Sequence, residues 1–447
     1  MLRSAVRRVP HPHLVLPLVL AQIVLGAVVL EQATVDTPAV REVPAFGRAR
    51  VAPDLAPVAG AEREAGVRAL LAARGAAVRD RDRAAFLATV DPSSTAFLAR
   101  QAALFDALAD VPLDGWEYVL DPDREQPPDP ALDAVRGEGW WAPAVSLRYR
   151  LAGFDDQPAV EEQWLTLVPR GGRWLVAADD DFAATGAPTT RGLWDSGPVV
   201  GVSRSRVLVL GHPGDDALLR QVASSVQAAV PRVSAVWGED WAQRVVVLVP
   251  RTPQELAALV PHGGDLSQIA ALATADVAAA PGGLPVGDRV VVNPSTFLRL
   301  GPTGRRVVLT HEVTHVASRS ATGAAVPTWL VEGLADVVGY RGADVPLSVA
   351  ARDLQADVRA GRLPQQLPDD DAFDGGSPSL TSVYEQAWLA VSLLVDRYGE
   401  ARAVELYRAV GRAEDAAGVE RAFEEQLGTT LPAFTRAWRA SLRARLR

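Results

Sequence analysis

The sequence predicts an α+β protein in which an apolar N-terminal segment precedes two globular domains. Its 447 residues are 48% hydrophobic, which is enough to fill more than one core. Apolar residues recur at helical spacing up to residue 108 and then alternate with polar residues, which indicates helices followed by an antiparallel sheet. A second layer of strands and helices begins near residue 206 and leads into a helical C-terminal half.

Charge and cysteine content exclude some partners and some metal ligands. The net charge of −9 leaves no basic excess to displace counterions from phosphates, so nucleic acid is not expected as a partner. The chain has no cysteine, which excludes disulfides and thiolate ligands. Any bound metal must therefore use histidine and carboxylate side chains.

The first 30 residues predict a membrane anchor. Three arginines precede an uncharged apolar stretch over 14–30, at the short end of the length that spans a bilayer. We predict a cytoplasmic basic segment over 1–13, a single-pass transmembrane signal anchor over 14–30, and extracytoplasmic domains after it. The alternative is a cleaved signal and a secreted protein, although Glu31 stands where a small residue would be needed for cleavage.

A Pro-rich, aperiodic stretch over 31–60 is predicted to link the membrane to a first domain over 61–182. Within this domain Asp82 is expected to cap a helix. The predicted elements are helices over 62–90 and 97–108, a strand over 145–151, and a hairpin of 164–168 and 174–177 around Pro169 to Gly172.

Two segments of this domain, AVRDRDRAAFLATVDP and GGRWLVAADDD, resemble the NTF2-like cone fold. The resemblance covers about residues 60–182 and implies a helix layer against a curved sheet. Such domains often serve as binding or spacer modules, so we assign this one no catalysis. A stretch of Ala, Thr, Gly and Pro over 183–198 predicts a second linker.

The second domain, over 199–447, is predicted to open with alternating strands and helices. Thr252 and Glu255 have the spacing of a capping box, with proline at the first helical position between them. The predicted elements are strands over 206–210, 244–249 and 289–292, with helices over 215–230 and from 253.

The segment VVLTHEVTHVASR, residues 307–319, contains HExxH within a helical apolar pattern. His311 and His315, four residues apart, project from one helical face, so both imidazoles can reach one tetrahedral ion. Glu312 lies beside that ion and can take a proton from water. The alternative to a metal site is an ordinary amphipathic helix, since so short a motif also arises by chance.

A second segment, VPTWLVEGLADVVGY over 326–340, predicts a helix on which Glu332 and Asp336 share one face. Catalytic zinc is often held by two histidines and one glutamate with a fourth position open. Glu332 can supply that third ligand. The joint pattern of the two segments favours a metal site over two unrelated helices.

The two segments together resemble the gluzincin zinc metallopeptidases, in particular the peptidase MA-like proteins with HExxH followed by WLxEGxAD. The resemblance implies one zinc ion on His311, His315 and Glu332, with Asp336 orienting His311 from behind. The gap between His315 and Glu332 is slightly shorter than in the best-known branches. No GAMEN-like segment precedes the motif, so the aminopeptidase branch is not supported.

The resemblance extends to two further features. The start of SVYEQAWLAVSLLVDRYG, residues 382–399, is similar to the segment whose tyrosine stabilises the oxyanion, which implies that role for Tyr384, with Tyr340 as a substitute. A tyrosine on an apolar helix can equally be a core residue. The strand over 289–292 is expected to pair with extended substrate. His212 and His262 are expected to be surface or capping residues.

The sequence thus predicts a zinc-dependent metallopeptidase that cleaves peptide or protein substrates outside the cytoplasm. Glu312 would be the catalytic base. The alternative from another class is a catalytically silent, membrane-anchored scaffold with a retained structural zinc site. Retention of Glu312 weighs against it, because a structural site needs no base. The sequence leaves the substrate and the oligomeric state open.

Overall fold

The computed structural model describes residues 60–260, 266–267, 269–276, 286–373 and 379–447. In this part the chain is a mixed α+β protein with a helical C-terminal half, as the sequence predicts. The predicted basic segment, signal anchor and linker up to residue 59 lie outside the described residues. Among the helices that the structure describes, none has both the length and the apolar character required to cross a bilayer.

The N-terminal part of the described chain, residues 60–198, is called the N-terminal half below. It packs helices on antiparallel strands. One sheet has the order β1-β2-β3, and β4 pairs with β5 as the predicted hairpin, whose Gly171 and Gly172 have φ of +54° and +77°. Asp82 caps α2 through the Ala85 amide, as predicted. The elements are α1 Gly60–Arg79, α2 Arg83–Leu87, α3 Thr95–Ala107, β1 Leu113–Glu125, α4 Pro130–Arg136, β2 Pro143–Leu151, β3 Ala159–Trp164, β4 Thr166–Arg170 and β5 Arg173–Ala178.

The C-terminal half begins with a five-stranded mixed sheet and continues as helices. The strand elements and their helices are β6 Val200–Ser203, β7 Val207–Gly211, α5 Asp216–Trp237, β8 Val245–Leu248, α6 Pro253–Leu259, β9 Ala271–Asp276, β10 Val286–Val292 and α7 Pro294–Phe297. The remaining helices are α8 Pro302–Ser318, α9 Thr328–Tyr340, α10 Leu347–Ala350, α11 Arg352–Arg359, α12 Leu380–Tyr398, α13 Glu400–Gly411, α14 Ala416–Leu427 and α15 Leu431–Leu446.

The strand order β6-β7-β8-β10-β9 corrects one prediction. The strand over 289–292, expected to pair with substrate, is part of β10, which lies between β8 and β9 and is paired on both sides. A peptide therefore cannot pair with β10. The continuous run of valines in β10 is typical of such an interior strand. Among the described strands, β9 ends the sheet on this side.

Both faces of the five-stranded sheet are buried. Alternate side chains point to opposite faces of a strand, so β7, β8 and β10 each contribute to two cores. Val207, Val209, Val245, Val247, Val290 and Val292 pack with helices α5, α8 and α9 in one hydrophobic cluster. Leu208, Leu210, Val246, Leu248 and Val291 pack with the N-terminal half in the other. The two halves of the chain consequently share a core.

The segment over 183–198, predicted as a linker, is packed against the N-terminal sheet. Its Trp194 is 3% exposed. The indole ring meets Trp116 and Tyr149 edge-on, with centroid distances of 5.5 and 5.1 Å. Composition suggested a flexible connection, but one buried tryptophan anchors the segment.

Replacing Trp194 with alanine should lower the free energy of unfolding by about 3–5 kcal/mol, because a fully buried ring leaves a cavity. Denaturant unfolding measures the change. Trp140→Ala is the control, since that indole is only partly buried and should cost less. A loss for Trp194→Ala no greater than for the control would show that the segment does not contribute to the fold.

Candidate metal centre

Helix α8 carries both histidines of the HExxH motif on one buried face. It begins at Pro302, where the missing backbone N–H has no intrahelical partner to lose. His311 and His315 lie one turn apart, and their Nε2 atoms approach to 2.8 Å. The two rings are 0% and 3% exposed. The four-residue spacing therefore brings two imidazole nitrogens to one buried point.

Helix α9 brings a carboxylate to the same point. Glu332 Oε2 lies 3.2 Å from His311 Nε2 and 3.4 Å from His315 Nε2. One turn later, Asp336 Oδ1 lies 2.9 Å from His311 Nδ1. A carboxylate only accepts, so this contact holds a proton on His311 Nδ1 and directs Nε2 at the cluster.

Two glycines allow α9 to approach its neighbours closely. A side chain at Gly333 would place its Cβ 2.4 Å from the Ala387 carbonyl oxygen on α12. A Cβ at Gly339 would lie 3.0 Å from the Val307 carbonyl oxygen on α8. Gly333 directly follows Glu332, so the glycine of the WLxEGxAD pattern sets the depth at which that carboxylate sits.

His311, His315 and Glu332 fit a divalent ion. Bonds of about 2.0–2.1 Å in tetrahedral geometry separate neighbouring ligand atoms by about 3.3 Å. The separations here are 2.8, 3.2 and 3.4 Å. Within the described part of the chain, Glu332 Oε1 is buried without a hydrogen-bond partner. Two nitrogens and one carboxylate oxygen are a donor set that zinc commonly takes.

The electrostatics of the cluster also favour a cation. Burial opposes charge on His311, but Asp336, Glu332 and Glu312 outweigh it and raise its pKa to about 10. Burial likewise opposes charge on Glu332, but His315 and His311 lower its pKa to about 2. The carboxylates of Glu332 and Asp336 thus favour positive charge at the paired imidazoles.

Glu312 lies beside the cluster and is wholly buried. Burial raises its pKa to about 8, although His311 and the amide of Ala273 on β9 favour the carboxylate. Neither of its oxygens has a hydrogen-bond partner of good geometry among the described residues. A buried carboxyl group without such a partner is costly, which indicates a group kept free for a function.

The tyrosines differ in how they relate to the cluster. Tyr384 lies on α12 in the helical core, where its ring meets Phe373 edge-on at 5.2 Å. Its role as oxyanion donor stays a prediction. Burial, followed by the charge of Asp336, raises the pKa of Tyr340, whose ring lies against Trp388 with the centroids 4.9 Å apart.

Sequence reasoning missed Tyr407 on α13. Its hydroxyl lies 2.7 Å from Thr322 Oγ1, just beyond the end of α8. Burial raises its pKa to about 12, with hydrogen bonds to Thr322 and Ser318 acting against this and Glu332 adding to it. Tyr407 therefore ties α13 to the segment that directly follows α8. No local sequence pattern predicts such a contact, because it joins residues that are far apart in the chain.

The remaining histidines are accounted for in different ways. His212 is buried and holds a loop together, with Nδ1 2.8 Å from the Pro198 carbonyl and Nε2 3.0 Å from Glu255. The predicted capping box is only half formed. The Thr252 hydroxyl accepts the Glu255 amide and caps α6, but the Glu255 carboxylate accepts the Arg251 amide instead of the Thr252 amide. His262 lies outside the described residues.

Comparisons with known proteins gave structural neighbours only. No protein-family model and no curated protein matched the chain. Among solved structures, it is similar to a variant of an M1 zinc metallopeptidase from Deinococcus radiodurans, at 15% identity and a TM-score of 0.29 over 63% of this chain. The same variant bound to a Tyr-Ser-Ala substrate gives 15% identity and 0.31 over 66%. The chain covers 59% and 60% of those two chains.

Substituting Gly333 with alanine should weaken metal binding about 10- to 100-fold, because the added methyl pushes α9 from α12 and shifts Glu332. Competition with a chromophoric chelator measures the affinity. Gly342→Ala is the control: that glycine lies just beyond α9, nothing lies within 4 Å of its Cβ, and its φ of +67° is the only source of strain in the variant. Equal metal affinity in the two variants would contradict the packing argument.

Proposed function

We propose that the protein is a zinc-dependent metallopeptidase that hydrolyses peptide bonds. The observation that carries this proposal is the convergence of His311, His315 and Glu332 within 3.4 Å of one another at a buried point, with Glu312 beside them. The described residues offer two imidazoles, a carboxylate ligand, an orienting aspartate and a base. That set matches the requirements of metal-assisted hydrolysis.

In this mechanism each side chain has one task. Zinc on the three ligands would lower the pKa of water and polarise the scissile carbonyl. Glu312, whose carboxylate form a neighbouring cation would favour, takes the proton of the attacking water and later delivers it to the leaving amine. Asp336 holds His311 in the tautomer that presents Nε2 to the site. The buried surroundings exclude competing water.

The edge strand β9 is the place where we expect substrate to bind. Its inner side pairs with β10, and Ala273 in its middle lies next to Glu312. An extended peptide that added to the outer side of β9 would pass the base and the metal ligands. The proposal therefore assigns to β9 the substrate contact that the sequence had assigned to β10.

The location and the N-terminal half complete the proposal. The basic segment over 1–13 and the apolar stretch over 14–30 support an extracytoplasmic enzyme held by a single-pass anchor, or released if the signal is cleaved. Residues 61–182 would form an NTF2-like domain, and residues 199–447 the peptidase MA-like domain. The helices packed on antiparallel strands in the first of these support that assignment.

Replacing Glu312 with glutamine should lower peptide cleavage about 10²- to 10⁴-fold while zinc remains bound, because only proton transfer is lost. Cleavage of a proteome-derived peptide library, with zinc content measured in parallel, tests this. Glu385→Gln is the matched control, since Glu385 is also buried but accepts the Asp353 and Leu354 amides at the start of α11.

Three outcomes separate the competing functions. Loss of cleavage in Glu312→Gln alone supports catalysis. A wild-type protein that binds zinc and cleaves nothing would instead support the scaffold function with a structural site. Cleavage by Glu312→Gln at the wild-type rate would remove Glu312 from the mechanism.

A further inference from the structure

Four charged residues form an ionic bridge between the metal-binding helix and the N-terminal half. We call Arg319, Asp288, Arg289 and Asp155 the ionic bridge. Arg319 ends α8, Asp288 and Arg289 are adjacent on β10, and Asp155 follows β2. No local sequence pattern predicts the ionic bridge, because its members come from three separate regions of the chain.

The site end of the ionic bridge is Arg319. It follows His315 by four residues, so it lies one turn further along α8. Its side chain is 4% exposed, and Nε donates to Asp288 Oδ1. The end of the helix that carries both histidines is thus tied to the start of β10.

The other end of the ionic bridge lies in the N-terminal half. Arg289 donates two hydrogen bonds to Asp155, at 2.7 and 2.8 Å, and both side chains are about 5% exposed. Asp155 also accepts the Leu151 amide at 2.8 Å. The guanidinium lies over the ring of Tyr149 at 5.7 Å. This bidentate pair fixes β10 against the end of β2.

Backbone contact at the same place leaves little room for movement. Gly287 has φ of +66°, and a Cβ there would lie 2.7 Å from the Cβ of Ala159 on β3. The start of β10 therefore touches β3 directly. The N-terminal half meets this strand through both a close backbone approach and a buried ion pair.

Stability alone is a weak reason for these charges. Desolvation offsets most of the attraction in a buried ion pair, and apolar residues of similar size often serve as well. The shared hydrophobic clusters already hold the two halves together. What a bidentate pair adds is a defined geometry.

The position of Arg289 affects the proposed active site through β10, because β10 pairs with β9. Val290 pairs with Ala273 and Arg289 with Thr274 on β9. Strand β9 in turn packs against α8, the helix that carries Glu312. A shift at the start of β10 would therefore move the β9 edge relative to the base, and would also move the partner of Arg319.

We propose that Asp155 and Arg289 are positioning residues for the peptidase site, which makes the N-terminal half part of the catalytic unit. Through the ionic bridge they set the position of β9 and β10 relative to α8. The inference rests on the proposed function for its kinetic consequence. Its structural consequence, the coupling of Asp155 to β9, can be measured without activity.

The experiment compares Asp155→Asn with Asp181→Asn in the full chain loaded with zinc. Asp181 is a matched control: it receives two hydrogen bonds from Arg136 at 2.6 and 3.0 Å and one from Thr166 at 2.7 Å, and all three residues lie in the N-terminal half. Both variants should lower Tm. Only Asp155→Asn should lower kcat, about 10- to 100-fold, since small misplacements of reacting groups have effects of that size.

Hydrogen exchange by mass spectrometry supplies the readout that needs no activity. In Asp155→Asn, amides over 271–276 and 286–292 should exchange about tenfold faster, with those of α9 unchanged. The control should leave both regions unchanged. If Asp155→Asn does not fold, Arg289→Lys replaces it, because lysine keeps the charge and loses the bidentate geometry.

The outcomes distinguish the two proposals. Faster exchange in β9 and β10 together with a selective fall in kcat supports the positioning role. Equal exchange and equal kcat in both variants at 25 °C would overturn it, even if cleavage by the unmodified protein stands. Absence of cleavage by the unmodified protein refutes the peptidase function, and the exchange data then decide alone whether Asp155 holds β9.

Discussion

The architecture depends on bringing two imidazole nitrogens and a carboxylate oxygen to one buried point. Each of these groups is costly to bury, and the cost is offset only if a cation or a complete set of partners meets them. The chain meets this requirement by crossing α8 and α9 closely, with glycine at positions 333 and 339 where the helices touch their neighbours. The packing of these helices therefore brings His311, His315 and Glu332 together.

The local part of the site could be predicted from the sequence. A four-residue separation on a helix determines which side chains share a face, so His311 with His315 and Glu332 with Asp336 follow from periodicity alone. The prediction that α8 and α9 meet followed from the need of a catalytic zinc ion for a third ligand besides two histidines. The structure adds the reason for Gly333, which is the proximity of α12.

Features that depend on contacts between residues far apart in sequence could not be predicted in the same way. Strand β10 was recognised as a strand, but its neighbours are set by crossover order, and periodicity carries no information on order. Trp194 sits in a stretch with the composition of a linker, yet its ring finds the aromatic pocket of Trp116 and Tyr149. Tyr407 and the ionic bridge likewise join residues that are far apart in sequence.

The most direct test of the account is X-ray absorption at the zinc edge of the purified protein, together with its metal content. We predict one zinc per chain, bound by two imidazole nitrogens and by carboxylate oxygen at about 2.0–2.2 Å, with no sulfur. Protein purified with zinc present that retains none, or zinc whose spectrum lacks imidazole, would contradict it.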